Sequence, residues 1–217
     1  MGIVSVFYAA FGYLTLLAAI LWGMLFVGEG VNGSLMDAPA TVPPLAAILI
    51  DLGLLLLLAL LHRLAARGML RHITEWSIPH GLVRPSQAWA ATLALVMFHA
   101  AWQPLSRRIW NFTRPLEWAI LALFYLAWAL VLIGAFLPGQ ITRSTSSPTT
   151  FRVPLCQPLY GGILLAMWAT SAMSVGHLLL ATTVTGYLLF DSVWEARNTL
   201  ARETHRAYSF QGKRVTG

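Results

Sequence analysis

A long apolar run opens the chain: residues 4–27 contain no charged side chain, and the first acidic residue is Glu29. This length matches the ~20 residues that a helix needs to cross the hydrocarbon core of a bilayer. The run is too long for the core of a signal peptide, and it lacks a basic leading region and a small-residue cleavage pattern. We therefore expect a retained membrane-spanning helix.

The composition excludes a soluble globule, because only 10% of the residues are charged while 58% are hydrophobic. Soluble domains carry about 25% charged residues. Disorder is excluded as well, since it requires low hydrophobicity and high charge. The single cysteine, Cys156, excludes a disulfide framework and a cysteine-based metal cluster. The histidine spacing matches no metal-binding rule, so we expect no metal.

The apolar runs predict an all-α, polytopic integral membrane bundle of about six spans, at residues 4–27, 44–61, 88–105, 117–137, 159–173 and 177–191. The last two runs are short, and the turn at residues 174–176 between them favours a tight helical hairpin. The residues after span six have helical periodicity and predict a cytoplasmic amphipathic helix. The expected division is a transmembrane bundle at 1–192 and a tail at 193–217.

The basic residues flank the apolar runs, which indicates a bilayer partner and gives no support to nucleic-acid binding despite the net charge of +6. With six spans, eleven bases fall on the side of both termini and three on the other. The positive-inside bias therefore predicts a bacterial inner-membrane protein with both termini in the cytoplasm. The three bases on the opposite side are Arg107, Arg108 and Arg114.

Four polar residues within or at the ends of spans require an explanation: Asp51, His62, His99 and His177. A carboxylate at the centre of a span costs about 2.5–3.5 kcal/mol, so Asp51 should face the bundle interior and find a donor, or be protonated. It could be a substrate or proton site, or an interhelical hydrogen bond. His177 could line a pocket or cap the start of a helix. Rossmann, P-loop and hydrolase motifs are absent from the sequence.

Three segments together resemble one family. Residues 44–67, PLAAILIDLGLLLLLALLHRLAAR, are similar to the second span of the methanethiol S-methyltransferase and NnrU-like group, which is related to isoprenylcysteine carboxyl methyltransferases. Residues 158–178, with PLYGG, WAT and SVGHL, resemble the C-terminal hairpin of that group. Residues 187–208 resemble its end. The similarity covers roughly residues 44–208.

The resemblance implies methyl transfer from S-adenosylmethionine to a thiol or carboxylate at the cytoplasmic membrane face. The group holds the cofactor with an Arg-His-Pro-x-Tyr element and a Glu-Glu-Arg-Asp stretch. Carried over to this chain, the cofactor-binding positions are Gln157, Tyr160, Glu195 and Arg197. The candidates for catalysis are His62 and Glu195.

The chain departs from both elements. Cys156 and Gln157 stand where the group has Arg-His, and Ala196 and Asn198 replace two acidic residues. Losing the arginine removes a cation that can hold a carboxylate with two hydrogen bonds. Each lost charge-assisted contact costs about 1.5–3 kcal/mol. The changes therefore favour a weakened cofactor site.

Two hypotheses follow. The favoured one is a catalytically degenerate, methyltransferase-like scaffold without a cofactor, acting as a structural or accessory subunit of a membrane complex. Small residues such as Ala9, Ala10 and Gly12 could then dock a partner helix, or they could pack internally. The alternative is an S-adenosylmethionine-dependent S-methyltransferase of a small thiol such as methanethiol.

Overall fold

The computed structural model describes residues 2–28, 35–39, 41–66, 80–136 and 158–215. The chain divides into two compact units. Unit 1 comprises Met1–Glu117 and Thr170–Leu180, and unit 2 comprises Trp118–Ala169 and Ala181–Gly217. The expected boundary between residues 192 and 193 stays a prediction.

Unit 1 is built on three long helices: α1 (Ile3–Val27), α2 (Pro44–Ala66) and α3 (Val83–Ala101). Short 3-10 turns at Leu35–Asp37 and His80–Leu82 lie between them in sequence. Strand β1 (Arg108–Asn111) pairs in antiparallel fashion with β2 (Ala172–Ser174). The two strands join the segment after α3 to residues much later in the chain.

Unit 2 contains most of three helices: α4 (Leu116–Phe136), α5 (Pro158–Trp168) and α6 (Val175–Val215). The first residues of α4 and of α6 belong to unit 1. Helix α6 has 41 residues and continues without a break beyond residue 191, where span six was expected to end. The expected tail is therefore helical to residue 215, while its amphipathic character stays a prediction.

Among the described residues, three helices are long and apolar enough to cross a membrane: α1, α2 through Leu64, and α4. This supports an integral membrane protein that is mostly helical. Helix α3 is less apolar, and the 11 residues of α5 span only about 16 Å, half of the ~30 Å hydrocarbon core. The expected total of six complete crossings stays a prediction.

Two expected spans extend past the ends of their helices, and α3 also begins at Val83, before residue 88. Helix α3 ends at Ala101, not near 105, because Pro104 cannot continue the helical hydrogen bonding and restricts the residue before it. Helix α5 ends at Trp168, not near 173, because residues 172–174 form β2. The connection between the last two helices is therefore a strand that pairs with β1, and the simple turn expected there is wrong.

The core of unit 1 lies between α1 and α3. A Cβ added at Gly12 would come within 2.9 Å of Nε1 of Trp89, so this glycine lets the two helices approach closely. Further along, Phe26 packs edge-on against Trp102, with ring centroids 5.9 Å apart. Gly12 is thus buried inside the unit, which supports internal packing over an outer docking face.

Candidate functional site

The residues that the resemblance assigns to the cofactor lie mainly in unit 2. Tyr160 is half-buried in the first turn of α5, and Arg197 is exposed on α6. The backbone of Glu195 lies on α6, two residues before Arg197, while its side chain and Gln157 lie outside the described part. His62 is exposed near the end of α2, in unit 1.

The start of α5 is held against α4 by two glycines. A Cβ at Gly134 would lie 2.6 Å from the backbone nitrogen of Leu159, and one at Gly162 would lie 2.9 Å from the carbonyl oxygen of Ala127. Only glycine permits such close backbone contact. Tyr160 lies between the two contact points on α5, so its backbone position is fixed by this packing.

The end of α5 is tied to α6. The indole Nε1 of Trp168 donates a hydrogen bond to Oγ1 of Thr185 over 3.0 Å. The Thr185 hydroxyl in turn donates to the carbonyl oxygen of Ala181, 2.6 Å away within α6. Helix α5 is therefore fixed at one end by α4 and at the other by α6.

The short connection after α5 brings the assigned residues toward one end of unit 2. Six residues separate α5 from α6, and helices joined by so short a connection are antiparallel neighbours. The bond between Trp168 and Thr185 gives a common reference point on the two helices. Tyr160 lies eight residues before Trp168 on α5, and position 193 lies eight residues after Thr185 on α6, so each is about 12 Å along its helix from that bond. We infer that Tyr160 and the stretch that contains Arg197 lie at the same end of the α5–α6 pair.

In unit 1, Asp51 is completely buried and accepts a hydrogen bond from the backbone N–H of Gln103, with 2.8 Å between Oδ1 and the nitrogen. The side-chain Oε1 of Gln103 accepts a hydrogen bond from the Thr41 hydroxyl over 3.0 Å. These bonds connect α2 and the residues just before it to the segment after α3. The expectation that Asp51 faces inward and finds a donor is confirmed, and the structure supports the hydrogen-bond interpretation.

Replacing Asp51 separates this structural role from a role of its charge. Asp51→Ala leaves the half-buried N–H of Gln103 without its acceptor, which costs about 1–3 kcal/mol. Asp51→Asn keeps an oxygen at the same position and should unfold close to the parent temperature. Tryptophan-fluorescence melting in detergent measures both. An asparagine variant as unstable as the alanine variant would show that the carboxylate itself is required.

His177 and Ser174 belong to the start of α6. Oγ of Ser174 accepts a hydrogen bond from the backbone N–H of His177 over 3.1 Å, the geometry of a helix cap. Both residues are buried: Ser174 is 1% exposed and His177 is 2% exposed. Ser174 thus caps the helix, with His177 in its first turn. His99, on α3, stacks on Trp22 of α1 with ring centroids 6.1 Å apart.

Backbone bonds place the beginning of α6 against the segment after α3. The amide of Val175 donates to the carbonyl of Arg107 over 2.9 Å, and that of Gly176 donates to the carbonyl of Leu105 over 3.1 Å. Sequence reasoning missed this contact and the strand pair beside it. A four-residue strand gives too short an alternation pattern to be recognised in a single sequence.

Comparison with known proteins supports the family resemblance. No protein-family model and no solved structure matches the chain. A methanethiol S-methyltransferase of Pseudomonas deceptionensis is 32% identical, over 78% of this chain and 71% of the relative. The one from Mycobacterium tuberculosis is 31% identical, over 91% and 88% of the two chains. That of Crocosphaera subtropica is 29% identical, over 89% and 83%.

These matches cover most of this chain and more than two thirds of each relative, so the similarity is not confined to one apolar helix. On this similarity and on the helical membrane architecture, the chain belongs to the methanethiol S-methyltransferase family.

Proposed function

We propose that the protein transfers a methyl group from S-adenosylmethionine to a small thiol such as methanethiol. The observation that carries this proposal is the identity of 31–32% to proteins named methanethiol S-methyltransferase, over most of both chains. The relatives favour the enzyme over the accessory-subunit hypothesis, which receives no support from them.

The residues kept in unit 2 fit the polar groups of the proposed donor. The Arg197 guanidinium is exposed and can bind the carboxylate of the methionine part with two hydrogen bonds. Tyr160 offers a hydroxyl, and its backbone is fixed between two close helix contacts. Gln157 can donate a hydrogen bond, although it cannot supply a charge. We propose that these contacts suffice for binding without the arginine that Cys156 replaces.

The donor supplies an electrophilic methyl carbon on a sulfonium sulfur. Held by Tyr160 and Arg197, the donor would pass this methyl group to the thiol sulfur as its bond to the sulfonium breaks, and a base of the protein would take the thiol proton. Methanethiol gives dimethyl sulfide, and the donor leaves as S-adenosylhomocysteine. The protein's part is to align the two reactants and to keep water away, which can supply much of the rate. Glu195, two residues before Arg197 in the sequence, is the proposed proton acceptor.

We further propose that the protein lies in a bacterial inner membrane with both termini in the cytoplasm, where it would meet its donor. The distribution of basic residues supports this orientation. Fusions of the C-terminus to reporters that work only in the cytoplasm or only outside it test this arrangement. Activity of the external reporter alone would refute it.

A methyl-transfer assay tests the proposed function. Purified protein receives methanethiol and S-adenosylmethionine with a labelled methyl group, and volatile labelled dimethyl sulfide is measured. We expect turnover that depends on protein and on thiol, with an Arg84→Gln variant as a control at an exposed position to which the resemblance assigns no role. If the protein folds normally but transfers no labelled methyl group to methanethiol or to any other small thiol, the proposal is contradicted.

A further inference from the structure

The segment between α3 and α4 carries an exposed basic surface that methyl transfer does not use. Arg107 and Arg108 are exposed where β1 begins, and Arg114 is exposed just after the strand. No acidic residue occurs between residues 102 and 116. We call residues 107–114, which contain β1 and the residues on either side of it, the arginine strand. The segment itself therefore supplies no acidic side chain.

The pairing of β1 explains why these side chains point outward. All three residues of β2 are buried, whereas in β1 only Trp110 is half-buried and the other three residues are exposed. Arg108 pairs with Ser174 and Trp110 with Met173, which leaves Ile109 as an extra residue in a bulge. A bulge redirects side chains from the regular alternation. As a result Arg108 and Ile109 are both exposed, while Trp110 is half-buried.

Apolar side chains are exposed beside the arginines. Ile109 is 47% exposed and Phe112 is 41% exposed. Leu116, at 48%, begins α4, which is long and apolar enough to cross a membrane. We therefore expect the segment that leads directly into this helix to lie at the depth of the lipid headgroups. Basic and apolar side chains together at that depth match the boundary between phosphates and acyl chains.

We propose that the arginine strand binds the phosphate groups of anionic phospholipids, with Ile109 and Phe112 at the acyl boundary. The guanidinium groups of Arg107 and Arg108 match the geometry of a phosphate and can hold it with paired hydrogen bonds. The adjoining apolar side chains favour a lipid over a soluble anion, because free phosphate has nothing to place against them. This interaction is independent of the methyl-transfer proposal.

Lipid-dependent melting of the full-length protein in an uncharged detergent tests the interaction. Phosphatidylglycerol or phosphatidylcholine of the same chain length is added in steps, and the midpoint shift gives an apparent affinity. We expect saturable stabilisation by phosphatidylglycerol and at least about tenfold weaker binding of phosphatidylcholine. Each arginine at an anionic surface contributes about fivefold, so Arg107→Gln with Arg108→Gln should weaken the affinity by about 25-fold.

Three comparisons make the test selective. The single variants Arg108→Gln and Arg84→Gln remove one exposed arginine each from unit 1, and only the first should weaken phosphatidylglycerol binding. Replacing both Arg107 and Arg108 by lysine keeps the charge and should retain an intermediate affinity. Equal effects of the two single variants, equal binding of both lipids, or the same stabilisation by inorganic phosphate would each overturn the proposal.

Discussion

Replacing Arg197 by glutamine is expected to raise the KM for S-adenosylmethionine by about 10- to 100-fold. A charge-assisted hydrogen bond is worth about 1.5–3 kcal/mol, and each 1.4 kcal/mol is tenfold in affinity. Arg197 is exposed, so its replacement should leave the melting temperature unchanged. Initial rates at varied donor concentration, with methanethiol in excess, measure the effect.

Two further variants show whether the effect belongs to the guanidinium at this place. Arg197→Lys retains a cation without the planar fork and should recover part of the loss. Arg84→Gln removes an arginine that is also exposed, but in unit 1, and should match the parent. If Arg197→Gln turned over with the parent's KM, this residue would not contact the donor, and the family correspondence at 195–198 would be wrong.

Replacing Gly134 by alanine is expected to destabilise the protein by at least about 2 kcal/mol. The added Cβ would lie 2.6 Å from the backbone nitrogen of Leu159, so α5 would have to move away from α4. For a chain of this size, that loss lowers the melting temperature by roughly 4–8 °C. Because the same contact fixes the backbone beside Tyr160, donor affinity should fall as well.

Gly186→Ala on α6 is the matched control, because nothing lies within 4 Å of a Cβ placed there. Alanine is favoured over glycine in a helix interior by about 0.5–1 kcal/mol, so this variant should be as stable as the parent or slightly more. A Gly134 variant that melts like the Gly186 variant would show that α4 and α5 are not in close backbone contact.

The positions of the long helices follow from the sequence because hydrophobicity alone determines them. The uncharged run at residues 4–27 corresponds to α1, and the run from Pro44 corresponds to α2. The inward position of Asp51 could also be predicted, since an ionisable group in a span avoids lipid. Its donor could not, because the Gln103 amide comes from a segment 52 residues away.

The strand pair could not be predicted, because its partners are distant in sequence and one strand has only three residues. Residues 172–174 are apolar or small, so the local pattern alone predicts that they continue the helix of span five. Their pairing with residues 108–111 is a tertiary interaction, which overrides the local hydrophobic pattern. The same interaction decides where α5 ends and α6 begins.

The functional expectation gave too much weight to a few replaced side chains. Cys156 and Gln157 remove an arginine and a histidine, which favoured a silent subunit when each contact was counted separately. Such counting assumes that no other group compensates. Similarity along most of the chain to named methyltransferases weighs more than the changed positions.

Calorimetric titration of the purified protein with S-adenosylmethionine distinguishes a working donor site from a silent scaffold. A working site should give a dissociation constant in the micromolar range, which corresponds to about −8 kcal/mol. Replacing Cys156 by arginine together with Gln157 by histidine should then add little, because the retained contacts already hold the donor. A parent that binds only at about millimolar concentration or more weakly, with binding restored by this double variant, would contradict the proposed enzyme and support the degenerate subunit.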